Sequence, residues 1–342
     1  MKILILTQIV DKKDPILGFF HSWLVEFSKR YEFVTVVCLK KGDFDLPANV
    51  KVLSLGKENG VSKLKYIFNF YKYIFSERRN YEKVFIHMNE EYSLMGGIIW
   101  KFLDKEVYMW RNHKSGSFVT DVASFLSDKV FYTSSGSYTS KFANSIQMPV
   151  GINDIVFKNM DVDRKENSFL YVGRISPIKN IDKMIDAFIE LSKKIPNFVF
   201  DIIGPCESAL DLEYKKGLEK KIKDAELSSK ISFLGAVDQV RLSEIYSKYK
   251  FCINLTSSGS FDKTIWESVF CGCIPLVHNS SYLNEIPKEL QDKLGVSLEI
   301  SDIAKTFENA LILSFENVNS ELMIVGKKHS LKSLMDKITQ II

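Results

Sequence analysis

Short apolar runs alternate with longer amphipathic stretches along nearly the whole chain. A run of Val, Ile and Phe too short for a helix reads as a strand buried on both faces. A stretch with apolar residues three and four apart reads as a helix covering such a face. Repeated in turn, the two make parallel sheets with helices on both sides, an α/β doubly wound class. In the first half, strands are expected at Lys2–Leu6, Phe33–Cys38, Lys51–Leu53, Lys83–His87, Glu106–Trp110 and Lys129–Thr133, with a helix over Phe19–Arg30. After Gly151 the rhythm restarts, with strands at Phe169–Val172, Val199–Ile203, Ile231–Leu234, Phe251–Leu255 and Ile274–Val277. The helices between them are expected at about Ile181–Lys194, Ala209–Ala225, Gln239–Lys248 and Ile265–Cys271.

Two such halves suit a length of 342 residues, since domains commonly run roughly 100–200 residues. Between Met148 and Lys165, Pro149, Gly151 and the charged run DVDRKEN interrupt the hydrophobic period, which predicts domains over residues 1–150 and 151–317. The last stretch, 318–342, ends in LKSLMDKITQII at helical spacing and is expected to pack back on the first domain. Asp161 and Asp163 spell a D-x-D in the linker, but no phosphate-binding loop adjoins them, and no metal site is expected.

The chain is 46% hydrophobic and 26% charged with a mean hydropathy of −0.04, which excludes a disordered, collagenous or polytopic membrane protein. A net charge of +4 is too small to argue for nucleic acid. It is unevenly spread: residues 1–150 carry 21 Lys and Arg against 15 Asp and Glu, or +6, and the remainder 25 against 27, or −2. A basic first half could face phosphate-rich or anionic lipid surfaces, or simply carry solvated charge. Cys38, Cys206, Cys252, Cys271 and Cys273 form neither a C-x-x-C pair nor a zinc-type spacing, which suits a reducing cytoplasm. The opening MKILILTQIV is too short to span a membrane and reads as a buried strand.

Residues 62–83 interleave six Lys and Arg with many aromatics at near-helical spacing. Such a helix could lie on an anionic membrane surface as a peripheral contact at its inner face, or could be a domain helix with a Tyr/Phe core face and solvated cations.

Two clusters carry the chemistry. In FLYVGRISPIKNIDKMIDAF a strand runs into a turn at Gly173, so Arg174 and Lys179 project from a strand's carboxyl end beside a helix start, where an anion is favoured. Two solvated loop cations would look the same. In LTSSGSFDKTIWESVFCGCIPLV a strand ends in a Ser/Gly/Ser loop before a helix, and the N–H groups of Ser258, Gly259 and Ser260 could form an anion-binding concavity. Glu267 follows on that helix, placed to accept two ribose hydroxyls or else to sit on its surface.

The pair VGRISPIKNID and GSFDKTIWESVFCGCIPLV, with PVGIN, FDIIGP and ISFLGAV, resembles the nucleotide-sugar-binding half of retaining glycosyltransferase family 4 (glycosyl transferases group 1). HMNEEYSLMGG and WRNHKSGS extend the likeness loosely into the first domain. The resemblance implies a GT-B architecture, two Rossmann-like domains facing a central cleft, and a metal-independent retaining enzyme without a cofactor. Arg174 and Lys179 match its diphosphate-neutralising pair, and Glu267 the second glutamate of its Glu-x7-Glu motif. The first glutamate would fall at Gly259 and is absent; Asp262, Lys263 or the backbone from Ser260 to Asp262 would have to stand in. His113 matches the sugar-contacting histidine, although it could instead order a loop. His87 in HMNEEY is a second, weaker match to that histidine, and Asn89 and Glu90 would shape the cleft or meet acceptor. The loop Asp14–Phe19 with Gly18 would approach the phosphates or acceptor, or merely connect two elements.

The function expected is transfer of a hexose from a UDP- or GDP-linked sugar to a glycan or lipid-linked saccharide in cell-surface polysaccharide biosynthesis. A non-catalytic nucleotide-sugar-binding subunit is the alternative that Gly259 raises, and a nucleotide-sugar epimerase of the same fold would need a carboxylate pair that the sequence does not display.

Overall fold

Alternating side chains of the first strand feed two cores. In this computed structural model, which describes residues 1–14, 16–257 and 262–342, Ile3 and Ile5 face one layer and Leu4 and Leu6 the other. The chain divides into two compact units, Met1–Gly151 with Leu331–Ile342, and Ile152–Ser330.

The first unit holds β1 (Lys2–Val10), β2 (Phe33–Lys41), β3 (Val50–Ser54), β4 (Lys83–His87), β5 (Glu106–Trp110), β6 (Lys129–Tyr132) and β7 (Ser145–Gln147). They form one sheet in the order β3-β2-β1-β4-β5-β6-β7, and every pairing is parallel. The second unit holds β8 (Ser168–Val172), β9 (Val199–Ile203), β10 (Ile231–Gly235), β11 (Phe251–Asn254) and β12 (Ile274–Val277), again parallel, in the order β10-β9-β8-β11-β12. In both sheets the order reverses beside the first strand. That creates a switch point between β1 and β4, and another between β8 and β11, where an open parallel sheet has room for ligand at its carboxyl edge.

The helices of the first unit are α1 (Phe19–Arg30), α2 (Lys63–Ser76), α3 (Glu90–Phe102) and α4 (Phe118–Phe125). The second unit carries α5 (Ile181–Ser192), α6 (Ala209–Asp224), α7 (Gln239–Ser247), α8 (Lys263–Phe270), α9 (Ser280–Leu283), α10 (Lys288–Leu294), α11 (Ile300–Ala310) and α12 (Phe315–Gly326); α13 (Leu331–Ile341) returns to the first. α1 and α13 cover one face of the first sheet, burying Phe20, Trp23 and Phe27 against Leu334, Met335 and Ile338. α2, α3 and α4 cover the other through Phe70, Ile74, Tyr92, Trp100 and Ala123. The second sheet packs an aromatic cluster of Phe169, Phe188, Phe200, Phe251 and Phe307.

β1 and β2 run on to Val10 and Lys41, beyond the Leu6 and Cys38 expected, and three further features differ from the sequence reading. β7 is an additional strand, whose three residues Ser-Ile-Gln are too short and too polar to stand out. α8 begins at Lys263 rather than Ile265, because the Asp262 side chain caps it by accepting from the Thr264 N–H. The final stretch is not one element returning from residue 318. Phe315–Gly326 packs on α8 within the second unit, a tight turn at Lys327–His329 ends it, and only Leu331–Ile341 crosses back. The parallel bridge between Ile152 and Ser330 explains the divide, since the chain enters and leaves the second unit side by side.

Candidate functional site

The carboxyl edge of the second sheet is built by close backbone approach. Gly173, just past β8, has φ 155°, and a Cβ there would lie 2.8 Å from the Tyr171 hydroxyl. Gly204, just past β9, has φ 150°, and a Cβ there would lie 1.8 Å from the Gly173 carbonyl oxygen. Only glycine fits either position. The Tyr171 hydroxyl then donates to the Arg174 carbonyl (2.9 Å), fixing the turn that presents Arg174.

Arg174 is half-exposed and pairs with Glu207 at 2.9 Å. That bond, strengthened by the Glu207 charge, raises the guanidinium pKa further, so the group is cationic at any working pH. Lys179 lies on the short turn Pro177–Lys179 that precedes α5. Its ammonium donates to the Asp262 carboxylate (2.8 Å) and to the Thr256 hydroxyl (3.2 Å). Asn180, at φ 56°, ties this turn across the switch point by donating to the Leu255 carbonyl (2.8 Å).

Asp262 is the hub of this network. Besides Lys179 it accepts from Asn254 Nδ2 (2.9 Å) and the Thr264 hydroxyl (2.8 Å). Burial works to raise its pKa, but Lys179 and the bonds from Asn254 and Thr264 outweigh it and hold the carboxyl below the ordinary value. With these partners Asp262 anchors Lys179, in addition to capping α8.

Lys263 and Glu267 stand four residues apart on α8, on one helix face. Glu267 is buried, and desolvation raises its pKa, with the Asp262 charge adding and Lys263 opposing. Burial pushes the Lys263 ammonium down, and Glu267 opposes that shift. A buried carboxyl with its pKa raised in this way, at the carboxyl edge of a parallel sheet, is a candidate functional group. Ser258, Gly259 and Ser260 lie outside the described residues.

The first unit's switch point is different. His87 ends β4, is fully buried, and its Nδ1 lies 3.2 Å from the Thr7 hydroxyl on β1. Its ring stacks on Phe20 at 3.9 Å and 12° and also meets Trp23 and Phe19. The histidine is part of the core. Glu90 pairs with Arg111 Nε at 2.7 Å. His113 is exposed in the loop after β5, where its Nδ1 lies 3.0 Å from both the N and the O of Ser115. The His113 carbonyl accepts from the Tyr138 N–H (2.9 Å) and the Ser137 hydroxyl (3.3 Å), so both backbone and ring are positioned. Gly18 opens α1 with its N–H donating to the Asp14 carbonyl (3.0 Å); a Cβ there would lie 2.5 Å from that oxygen, so the tight loop itself requires glycine.

The structure thus brings Arg174, Lys179, Asp262, Lys263 and Glu267 to one edge of the second unit, and places Gly18 and His113 in the first. Glu207, Asn254, Thr256 and Asn180 escaped the sequence reading, because their roles follow from pairing with residues up to 77 positions away. Among the described residues no three His, Cys, Asp or Glu side chains gather as a metal site requires.

The whole chain takes the GT-B fold. It is similar to Anabaena Alr3699/HepE, solved in complex with UDP, with a TM-score of 0.79 and 15% identity over 100% of this chain and 99% of that one. Sucrose-phosphate synthase from Thermosynechococcus elongatus gives a TM-score of 0.73 at 14% identity over 100% and 98%. Residues 153–317, nearly all of the second unit, match the model of a family described as Glycosyl transferases group 1. A Campylobacter jejuni relative, GalNAc-alpha-(1->4)-GalNAc-alpha-(1->3)-diNAcBac-PP-undecaprenol alpha-1,4-N-acetyl-D-galactosaminyltransferase, is 28% identical over 251 residues, 71% of this chain. The GtfA subunit of a Streptococcus pneumoniae UDP-N-acetylglucosamine–peptide N-acetylglucosaminyltransferase is 26% identical over 182 residues, 51% of this chain. The match spans 61% of the first relative's length and 34% of the second's.

Proposed function

We propose that the chain is a retaining glycosyltransferase that moves a hexose from a nucleoside diphosphate sugar to a saccharide or lipid-linked saccharide acceptor in cell-surface polysaccharide assembly. The observation that carries this reading is the gathering of Arg174, Lys179 and Glu267 at the switch point of a Glycosyl transferases group 1 unit. A UDP-linked donor is favoured over a GDP-linked one, because the GtfA relative belongs to a UDP-N-acetylglucosamine–peptide transferase and the Anabaena protein was solved with UDP. A lipid-linked acceptor is favoured by the undecaprenol-linked glycan in the name of the Campylobacter relative.

Arg174 and Lys179 receive the diphosphate, exchanging Glu207 and Asp262 for phosphate oxygens, and Glu267 accepts from the ribose hydroxyls. As the bond between the anomeric carbon and the phosphate oxygen breaks, negative charge grows on the leaving phosphate. The two cations stabilise it without a metal ion. The acceptor oxygen adds to the same face of the sugar, and its proton passes to the departing phosphate. His113, its Nδ1 held beside Ser115, turns its ring to a sugar hydroxyl. The five free thiols suit a cytoplasmic setting.

Slow hydrolysis of a UDP-hexose by the purified chain, followed by proton NMR, tests this. The expected result is release of the sugar with its anomeric configuration retained, absent in Arg174→Ala and Glu267→Ala. Inverted product would refute the retaining mechanism. Tight UDP binding without hydrolysis or transfer would favour the non-catalytic subunit.

A further inference from the structure

The three helices on one face of the first sheet carry more apolar surface outward than packing uses. α2 buries only Phe70 and Ile74. On its outer flank Leu64, Phe68 and Phe75 are 79%, 60% and 44% exposed, spaced four and seven residues apart. α3 turns Tyr92, Gly96 and Trp100 inward and leaves Ile98 and Phe102, again one turn apart, 57% and 87% exposed. α4 buries Thr120 and Ala123 and leaves Phe118 and Phe125, two turns apart, 78% and 77% exposed.

These helices are neighbours, not scattered. The Tyr71 hydroxyl of α2 donates to the Met95 carbonyl of α3, and the Ser93 hydroxyl of α3 donates to the Ala123 carbonyl of α4. Their inward side chains share one core, so the outward ones share one surface. Isolated exposed apolar residues are ordinary, whereas an aromatic layer repeated over three adjacent helices marks a contact surface.

Charge selects the occupant. α2 has no acidic residue along its fourteen positions and carries Lys63, Lys65 and Lys72, all exposed; Arg78 and Arg79 follow it. Lys65 Nζ sits 4.8 Å from the Phe68 ring, and Lys101 Nζ sits 5.2 Å from the Phe125 ring. The acids on α3, α4 and their ends that reach solvent are Glu91, Asp104, Asp121, which pairs with Lys141 at 3.2 Å, and Asp128. Aromatics flanked by long cations are arranged to seat rings among lipid headgroups while the ammonium groups meet anionic phosphates. No helix among the described residues is long and apolar enough to cross a membrane, so the contact is peripheral.

We infer that the outer surface of α2, α3 and α4 docks on an anionic lipid bilayer, using Leu64, Phe68, Phe102, Phe118 and Phe125 as inserted side chains and Lys63, Lys65 and Lys72 as electrostatic contacts. The inference extends the expectation for residues 62–83 from one helix to a three-helix face, and it does not depend on the glycosyltransferase reading.

Flotation of the full chain with phosphatidylcholine vesicles, with and without phosphatidylglycerol, tests it. Binding to the phosphatidylglycerol vesicles is expected, falling as salt is raised. Lys63→Gln/Lys65→Gln/Lys72→Gln should weaken it on the order of a hundredfold. Phe68→Ser/Phe102→Ser/Phe125→Ser should abolish it with unfolding temperature and UDP-induced thermal shift unchanged, which separates failure here from failure of the donor site. Equal binding to phosphatidylcholine alone, or no flotation of the folded wild type, would overturn the inference. So would a dimer by light scattering that the serine variant splits while vesicles remain unbound, since the face would then be a self-association surface.

Discussion

The two sheets repeat one topology, yet their switch points hold opposite chemistry. Between β1 and β4 the edge is filled: His87 is sealed between Thr7 and the rings of Phe20 and Trp23. Between β8 and β11 the edge is charged: Lys179 and Asp262 face each other across it, with Arg174 and Glu267 flanking. The fold supplies the edge, and the side chains decide whether it is packing or site. Arg174 and Lys179 are already partnered by carboxylates, so under the proposed function a diphosphate would replace an acid rather than enter an unshielded field.

The largest effect that could break this contrast is on turnover. Arg174→Ala and Lys179→Ala should each lower donor turnover roughly 10²–10³-fold, the usual consequence of losing one transition-state charge donor. Steady-state kinetics within tenfold of wild type for both would return the second edge to the status of an ordinary surface. Next comes stability: His87→Ala empties a packed aromatic site and should cost about 2–4 kcal/mol by urea unfolding without altering UDP affinity. His113→Ala, in an exposed loop, should stay within about 0.5 kcal/mol and instead lower turnover. An exchange of these two phenotypes would invert the assignment of the two histidines.

A pH series sharpens the account of Glu267. Burial raises its pKa above the ordinary carboxylate value, so the carboxylate that accepts from ribose is present above that raised value and is lost as pH falls through it. Affinity for a UDP-sugar, whose diphosphate diester does not titrate in this range, should drop on going from pH about 8 to about 6, well before an ordinary glutamate would protonate. In the free protein the sign is opposite. The folded state binds a proton that the unfolded state has released, so the contribution of Glu267 to stability declines as pH rises from the ordinary to the raised value. Glu267→Gln should flatten both trends in calorimetry and thermal unfolding, and an unchanged pH slope would exclude this carboxyl. The smallest expected effect concerns the exposed Arg174–Glu207 pair. Glu207→Gln removes the competing acid and should tighten UDP binding by about 0.2–1 kcal/mol.

Much of this organisation is legible in the residues. Phe19–Arg30, Lys83–His87, Glu106–Trp110, Val199–Ile203 and Ile274–Val277 are fixed to the residue by apolar period and by breakers at their ends. Arg174, Lys179 and Glu267 are legible because a strand, a glycine turn and a helix start follow in order, which places them at a carboxyl edge before any coordinate is known. Their partners are not. Glu207 meets Arg174 only because β8 and β9 are adjacent, and Asn254 meets Asp262 only because β11 ends beside the start of α8. The C-terminal divide was hidden for the same kind of reason. Phe315–Gly326 and Leu331–Ile341 both show a helical period, and only the long-range bridge from Ile152 to Ser330 separates them. His87 and His113 each end or follow an apolar strand, and the sequence contains no sign of the aromatic stack that sets them apart.

The most direct test of the central claim is a calorimetric titration of UDP, GDP and ADP into the wild-type chain, Lys179→Ala and Glu267→Ala, with thermal unfolding beside it. The charged edge predicts binding of a nucleoside diphosphate, with UDP preferred on the ground of the relatives, a stabilisation of about 2.7 kcal/mol at one hundred times the dissociation constant, and loss of that binding in both variants. Undiminished UDP binding by Lys179→Ala and Glu267→Ala, both folded, would contradict the assignment of the nucleotide diphosphate to the second sheet's edge.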